Sequence, residues 1–378
     1  MKKLGFGFMR LPQNSEDVTD INYEELNRMV DTFMERGFNY FDTGYHYHAG
    51  ASEEAIRKSL VERYPRESFI LADKIPLYAL PKQEELEPIF QEQLERCGVE
   101  YFDYYLMHNI CKFSEKAFTE VDSFTFVKEK LEEGKIRHMG ISYHDTAQML
   151  DDLLTQHPEI EFVQLQINYY DWENDSVQAR KCYQVCQKHD KPVIVMEPVK
   201  GGTLVNLSDE ADKLMKEYDS EASIASWAIR YCASLDDVMM VLSGMTDYQQ
   251  LDDNTTFMDN FKPINDTEEE IIEQVVEILK RQITVDCTKC NYCIDYCPKN
   301  INIPKLFDLY NTEMFTKPVG FSAQGQYYRT YAKQEDVGIA SECIECGACK
   351  EKCPQHLNIP EYLKEVAKTF EISRYGFK

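Results

Sequence analysis

Short, densely apolar runs alternate with longer amphipathic stretches over the first two-thirds of the chain. The runs Leu4–Met9, Phe38–Asp42, Phe69–Lys74, Phe102–His108, Arg137–Ser142, Phe162–Ile167, Val193–Glu197 and Val238–Ser243 predict buried strands. Between them, apolar residues recur at helical spacing in Tyr23–Arg36, Ser52–Tyr64, Gln83–Cys97, Phe124–Glu133, Ala147–Leu154, Val177–His189 and Ala222–Ala233. Eight strands with helices between them, over about 250 residues, predict an α/β fold, the (β/α)8 TIM barrel. A doubly wound sheet usually has fewer strands, and no G-x-G-x-x-G turn follows any strand here. Beyond residue 260 the pattern changes. Asp266 to Gln282 reads as an amphipathic helix, and past it each of two cysteine loops leads into an apolar-periodic stretch. The expected organisation is a barrel over 1–260, a linker helix in 261–285 and a smaller, mainly α-helical domain over 286–378.

Composition narrows the function. With 43% hydrophobic and 28% charged residues, the chain has a full core and is not disordered. Its 41 basic and 66 acidic residues give a formal charge of −25, which repels phosphate backbones and anionic lipid. Neither nucleic acid nor membrane is expected as a partner. No apolar run approaches the roughly 18 residues of a membrane span, and MKKLGFGFMRLP lacks the greasy stretch of a signal peptide. The chain thus reads as cytoplasmic, where thiols stay reduced and its 13 cysteines need a purpose other than disulfides.

Eight of those cysteines form two copies of C-x-x-C-x-x-C-x-x-x-C-P: Cys287, Cys290, Cys293 and Cys297, then Cys343, Cys346, Cys349 and Cys353. Three thiolates two residues apart wrap one face of an iron–sulfur cube, while the fourth reaches over to the other cube. On that rule Cys287, Cys290, Cys293 and Cys353 hold one 4Fe-4S cluster, and Cys343, Cys346, Cys349 and Cys297 hold the second. Zinc, the alternative metal, has no use for a third and fourth matched thiol twice over. The copies continue alike, as CPKNINIPKLF and CPQHLNIPEYL, an internal repeat of about 56 residues. The aromatic-rich FSAQGQYYRTYA lies between them, and the region resembles the α-helical ferredoxin domains of anaerobic respiratory enzymes.

Chemistry in a TIM barrel gathers at the C-terminal ends of its strands. Asp42, Lys74, His108, Ser142, Gln164 and Glu197 stand at six such ends, and the loop DTGYHYHAGASE adds Tyr47. A lysine beside a carboxylate can lower the pKa of a phenol, so Asp, Tyr, Lys and His converging on one rim make a proton-donor constellation. On these residues the chain resembles the aldo-keto reductases over about 1–260. FDTGYHYHAGASE matches their F-D-T-A-x-x-Y-x-x-x-x-S-E segment, ILADK supplies Lys74, and YYLMH supplies His108. The resemblance implies Tyr47 as general acid toward a carbonyl, Lys74 and Asp42 lowering its pKa, and His108 orienting the carbonyl.

The same resemblance implies a nicotinamide cofactor, NADP or NAD, contacted by Ser142, Gln164, Met196, Gly244, Gln250 and Asn254. Tyr143 replaces the Asn of the family's G-x-S-N-F. Gly244 and Gln250 stand where NADPH-specific members often carry cations, so a strong 2′-phosphate preference lacks its electrostatic basis. The whole chain resembles the iron–sulfur-containing branch of the family. The expected function is interconversion of a carbonyl and an alcohol, coupled through two clusters to ferredoxin or another redox protein. A hydride carries two electrons and a cluster takes one. A flavin could divide the pair, although no flavin motif is visible; a one-electron route, or clusters that are only structural, are the other answers. The alternative function is an electron-transfer or binding protein whose barrel is a scaffold. Read down to structure are Cys97, Cys111, Cys182, Cys186 and Cys232 as packing or loop thiols. His46 and His48 read as pocket lining, and Trp172 as a wall of the substrate pocket.

Overall fold

The computed structural model of the protein describes residues 2–15, 17–174, 177–316, 323–334 and 336–372. Eight parallel strands close in chain order: β1 (Leu4–Gly7), β2 (Tyr40–Asp42), β3 (Ile70–Ile75), β4 (Phe102–Ile110), β5 (Ile136–Tyr143), β6 (Phe162–Gln166), β7 (Val193–Met196) and β8 (Val238–Ser243), with β8 pairing back to β1. The eight apolar runs are all strands, and the barrel is the predicted one. The first helices are α1 (Tyr23–Glu35), α2 (Ala51–Ile56), α3 (Gln83–Cys97), α4 (Lys116–Thr119) and α5 (Ser123–Glu132). Next come α6 (Ala147–Gln156), α7 (Ala179–Lys188), α8 (Asp209–Tyr218), α9 (Ile224–Ser234) and α10 (Tyr248–Asp259). The apolar pattern missed α8 and α10 for a visible reason. Helix α8 buries only Ala211 and Met215, and α10 buries the polar Asn254 and Thr255 beside Leu251 and Met258, which blurs the apolar period.

Alternation along the strands sets the site. Side chains two apart share a face, so the barrel interior fills in layers. Tyr40, Ala72, Leu106, Phe162, Ile194, Met240 and Leu242 form the apolar inner cluster. One step of two residues higher on β2 to β4 lie Asp42, Lys74 and His108; on β6 and β7 the same step reaches Gln164 and Met196. Gly140 faces inward too, where a Cβ would lie 2.4 Å from the Phe162 ring, and Ser142 is the next residue up. The register seats Ser142 beside Gln164. Between β4 and β5 the register shifts at Met107–Ile110, and Asn109 takes a φ of 62°. This bulge re-aims the backbone right after His108. The Ser142 hydroxyl accepts the displaced Asn109 N–H at 2.9 Å.

By packing, the chain divides into 1–199 with 221–266, and 200–220 with 267–378. The second unit contains α8 and nearly all of α11 (Asp266–Gln282), then α12 (Ile303–Thr316), α13 (Ala323–Tyr331), α14 (Ala348–Glu351) and α15 (Ile359–Ala367). It is mainly helical, as expected; of FSAQGQYYRTYA, Phe321 and Ser322 lie outside the described residues and the remainder falls in α13 and the turn after it. Its core joins Ile301, Leu306, Phe307, Tyr328, Leu363, Val366 and Phe370, with the Tyr328 and Phe370 rings stacked at 4.8 Å. Among the described residues no helix is long and apolar enough to cross a membrane.

The sequence repeat is also a backbone repeat. Positive φ occurs at Lys289, Asn291 and Asn300 and again 56 residues on, at Glu345, Gly347 and His356. Each cysteine loop therefore turns the same way at the same three places. The ion pair Lys289–Asp308 (2.6 Å) recurs at the equivalent positions with its charges exchanged, as Glu345–Lys364 (2.8 Å). Both pairs are exposed, so each adds little stability; their matched placement marks two halves of one design.

Two glycines separate steric from conformational cost. Gly140→Ala should lower the stability of the barrel by about 1–3 kcal/mol by overpacking against Phe162. At Gly347 (φ 81°) an added Cβ meets nothing within 4 Å, so Gly347→Ala should cost about 1–2 kcal/mol through backbone conformation alone. Denaturant midpoints of the anaerobically prepared protein, with iron release followed for the second variant, measure both.

Candidate active site and cysteine loops

The structure brings four of the sequence-derived residues together at the barrel mouth. Lys74 (1% exposed) extends from β3, and its ammonium donates to Asp42 Oδ1 at 2.6 Å and to the Thr43 carbonyl. Thr43 is held in turn, since its hydroxyl bonds the Ser52 hydroxyl, which donates to the Phe8 carbonyl. Tyr47 follows from the loop after β2. Its ring packs back over Gly44, where a Cβ would lie 3.0 Å from it, and the Lys74 Nζ sits 5.0 Å from the ring centroid. The Tyr47 hydroxyl is 3.5 Å from His108 Nε2.

Electrostatics give each group a state. Burial pushes the Asp42 carboxyl above the usual carboxylate range, while the Lys74 ammonium beside it pulls the other way. Burial, reinforced by the Lys74 charge, holds His108 well below the usual imidazole value. His108 is therefore neutral near pH 7, with one N–H to donate. Its Nδ1 is buried without a hydrogen-bond partner among the described residues.

The sequence reading missed Tyr78, on a short turn after β3. Its hydroxyl bonds His46 Nδ1 at 2.8 Å, and its ring meets His108 edge-on at 5.0 Å. A tyrosine in a loop carries no periodic signal, so only the fold reveals it. His46 and His48 part company, because His48 Nδ1 turns to the Val18 carbonyl at 2.7 Å. Trp172 packs between Tyr183 of α7 and Tyr231 of α9, in the helix layer. Cys232 donates to the Ile167 carbonyl and Cys182 to that of Asp145, as packing thiols do.

Of the residues expected at a nicotinamide, Ser142, Gln164 and Met196 stand on β5, β6 and β7. Gln164 is 3% exposed and its Oε1 has no partner among the described residues. That buried, unsatisfied acceptor beside Ser142 fits a carboxamide N–H. Met196 lies on β7 alongside Gln166, two register positions above the Gln164–Ile194 pair. Tyr143, in place of the family's Asn, turns its hydroxyl to the Thr146 carbonyl. Gly244 packs against the stem of Arg10, and Asn254 donates to the Ser243 hydroxyl at 3.0 Å. Gln250 is occupied locally: its Nε2 donates to Thr246 Oγ1 and Asp247 Oδ2, and Asp247 caps α10.

In the second unit the thiols gather in two sets. Cys287, Cys290, Cys293 and Cys353 line one cavity with Ile303, Phe307 and Ile359, while Cys297, Cys343, Cys346 and Cys349 line another. The fourth cysteine of each run thus crosses to the other loop. No three His, Cys, Asp or Glu side chains among the described residues are placed to hold a single metal ion. Four thiols around each apolar-walled cavity fit a cubane. Burial pushes Cys287 and Cys349 each up to about 11, so metal ligation must supply the thiolate state. The 200–220 segment adds what the sequence hid. Buried Lys200 pulls against the burial of Cys287 and Cys353, and at Gly201 a Cβ would lie 2.1 Å from the Thr288 carbonyl oxygen.

Residues 3–277 match the aldo/keto reductase family, and residues 280–354 match a 4Fe-4S dicluster domain. An uncharacterized oxidoreductase of Schizosaccharomyces pombe is 25% identical over 266 residues, covering 67% of this chain and 80% of that protein. The NADH-specific methylglyoxal reductase of Escherichia coli is 21% identical over 308 residues, covering 68% and 90%. The holo form of aldo-keto reductase AKR11C1 from Bacillus halodurans superposes with a TM-score of 0.56 at 23% identity, over 72% of this chain and 91% of that one. An aldo/keto reductase of Klebsiella pneumoniae in complex with NADP and acetate gives 0.58 at 18% identity, over 72% and 91%. These likenesses are to the barrel fold. With the family matched over most of its length, on a closed eight-stranded barrel, this chain belongs to the aldo/keto reductase family and carries a 4Fe-4S dicluster domain after it in sequence.

Proposed function

We propose that the barrel interconverts a small carbonyl compound and its alcohol, and that the second unit holds two 4Fe-4S clusters trading electrons with a redox protein such as a ferredoxin. The observation that carries the reading is the meeting of Tyr47, His108, Lys74 and Asp42 on one rim of the barrel. A bound nicotinamide supplies or takes up the hydride. The Tyr47 phenol gives its proton to the carbonyl oxygen, and the Lys74 ammonium stabilises the phenolate left behind. Asp42 fixes that ammonium and balances its charge. Neutral His108 donates its N–H to the same oxygen and so selects the face presented for transfer. In the oxidation direction Tyr47 takes the proton back.

Ser142 and Gln164 would hold the carboxamide and Met196 would lie against the ring. The locally bonded Gln250 and the Asp247 carboxylate at the start of α10 leave a 2′-phosphate poorly served. NADH is therefore the proposed donor, as the name of the Escherichia coli relative states for that protein. Cys287, Cys290, Cys293 and Cys353 would hold one cluster, and Cys297, Cys343, Cys346 and Cys349 the other. Two one-electron sites match the electron count of one hydride, and a flavin on a partner is the class of group that could divide it.

Tyr47→Phe should lower NADH-dependent turnover of small aldehydes by about 10²–10⁴-fold while leaving fluorescence-detected NADH binding intact; unchanged turnover sinks the catalytic reading and leaves the barrel a scaffold. Anaerobic addition of NADH with the redox partner present should bleach the cluster absorbance, and persistent colour marks the clusters as structural. Lys200→Met should lower the midpoint potential of one cluster only, because a buried cation favours the more negative, reduced state. Redox titration followed by electron paramagnetic resonance measures it.

A further inference from the structure

Asp73 precedes Lys74 on β3, and neighbours on a strand face opposite ways. Its side chain therefore enters the layer between barrel and helices, where it is buried with Glu53 of α2, both at 0% exposure. The two carboxyls are near enough to bear on each other's proton. Asp73 Oδ1 accepts the Lys74 backbone N–H at 2.8 Å, and Cys97 Sγ of α3 lies 3.8 Å from Asp73 Oδ2. Gln93 of α3 bridges the group: its Nε2 donates to Glu53 Oε1 at 3.2 Å and to the Lys74 carbonyl at 3.0 Å, and its Oε1 accepts from Tyr105 of β4 at 2.5 Å.

Counting charges decides the protonation. Ionised carboxylates only accept, so two of them buried in one dry layer need a cation or a proton for each. Arg96 faces Glu53 Oε2 at 3.2 Å but also serves Glu92. The Lys74 ammonium lies on the opposite face of the strand, committed to Asp42 and Thr43. Cys97 and Tyr105 are neutral acids that burial makes weaker still. A second anion in this layer would go uncompensated.

We propose that Glu53 and Asp73 share a single proton and act as a positioning pair for Lys74, holding its peptide N–H directly and its carbonyl through Gln93 from behind the strand. The shared proton rests on the burial, contacts and charge count of this layer; any consequence for turnover rests on the role proposed for Lys74. Burial pushes Glu53 up to about 6 and Asp73 well above its ordinary value. A raised folded-state value means the native chain holds the proton where the unfolded chain has lost it. The contribution to stability is whole below the ordinary carboxylate values of 3.8 and 4.5 and declines as pH climbs through the raised ones.

The test uses the anaerobically purified full chain. Infrared spectra at neutral pH should show a carboxylic-acid C=O band that moves in heavy water and vanishes in both Asp73→Asn and Glu53→Gln. Between acid and neutral pH the natural protein should lose stability relative to Asp73→Asn, read as a change in the difference between their melting temperatures. Hydrogen exchange at the Lys74 amide should quicken about tenfold in Asp73→Leu, which removes the acceptor, and return toward normal in Asp73→Asn. A natural protein without the acid band, or a band surviving both variants, overturns the shared proton. Unchanged Lys74 exchange in Asp73→Leu overturns the positioning role, whatever the barrel turns over.

Discussion

A closed barrel of parallel strands allows each strand two faces and no edge. Every second residue must fill a small interior, and the layers stack until the strands end. At the mouth the next inward residue has no layer above it and meets solvent or a ligand. That constraint places Asp42, Lys74, His108, Gln164 and Met196 on one rim: each is the inward neighbour, two residues on, of a packed core residue. The apolar floor below them, with Phe162 fitted over Gly140, fixes their height and excludes water from beneath.

Burying a lysine there has consequences on both faces of β3. Inside, the ammonium is neutralised by Asp42 and depresses the basicity of His108, so one cation prepares two neighbours. Outside, Asp73 and Glu53 lie in a layer with little room for a further charge. Burial penalises ions more than hydrogen-bonded neutral groups. The strand is therefore charged and balanced on its inner face, and held by a proton-bearing network on its outer one.

The second unit obeys a different rule, in which two similar halves complete one another. The cysteine runs share three left-handed positions, an Ile-Pro helix start and an ion pair whose signs are exchanged. Neither half closes its own thiol set, because the fourth cysteine of each lines the cavity of the other. Loss of one loop therefore damages both cavities. Segment 200–220 belongs to this unit and brings Lys200 toward one set alone, which breaks the symmetry electrostatically.

Much of this was legible along the chain because it depends on local period and spacing. Short apolar runs between helical stretches marked the eight strands and their polar ends, and the thiol intervals marked two matched sets with exchanged fourth members. Polar helix faces hid α10, and nothing in the sequence marked Tyr78, the bulge at Asn109 or the Asp73–Glu53 pair, since each exists only where distant segments meet. Gln250 stands in the expected cofactor segment, and only the fold shows its amide bonded within its own turn. The sequence by itself determined which residue types stand at each strand end and cysteine loop, because those follow from intervals of two and three along one backbone. Only the tertiary structure decided which of them touch, which are dry and what charge they bear, because burial and hydrogen-bond partners come from segments far apart in the chain.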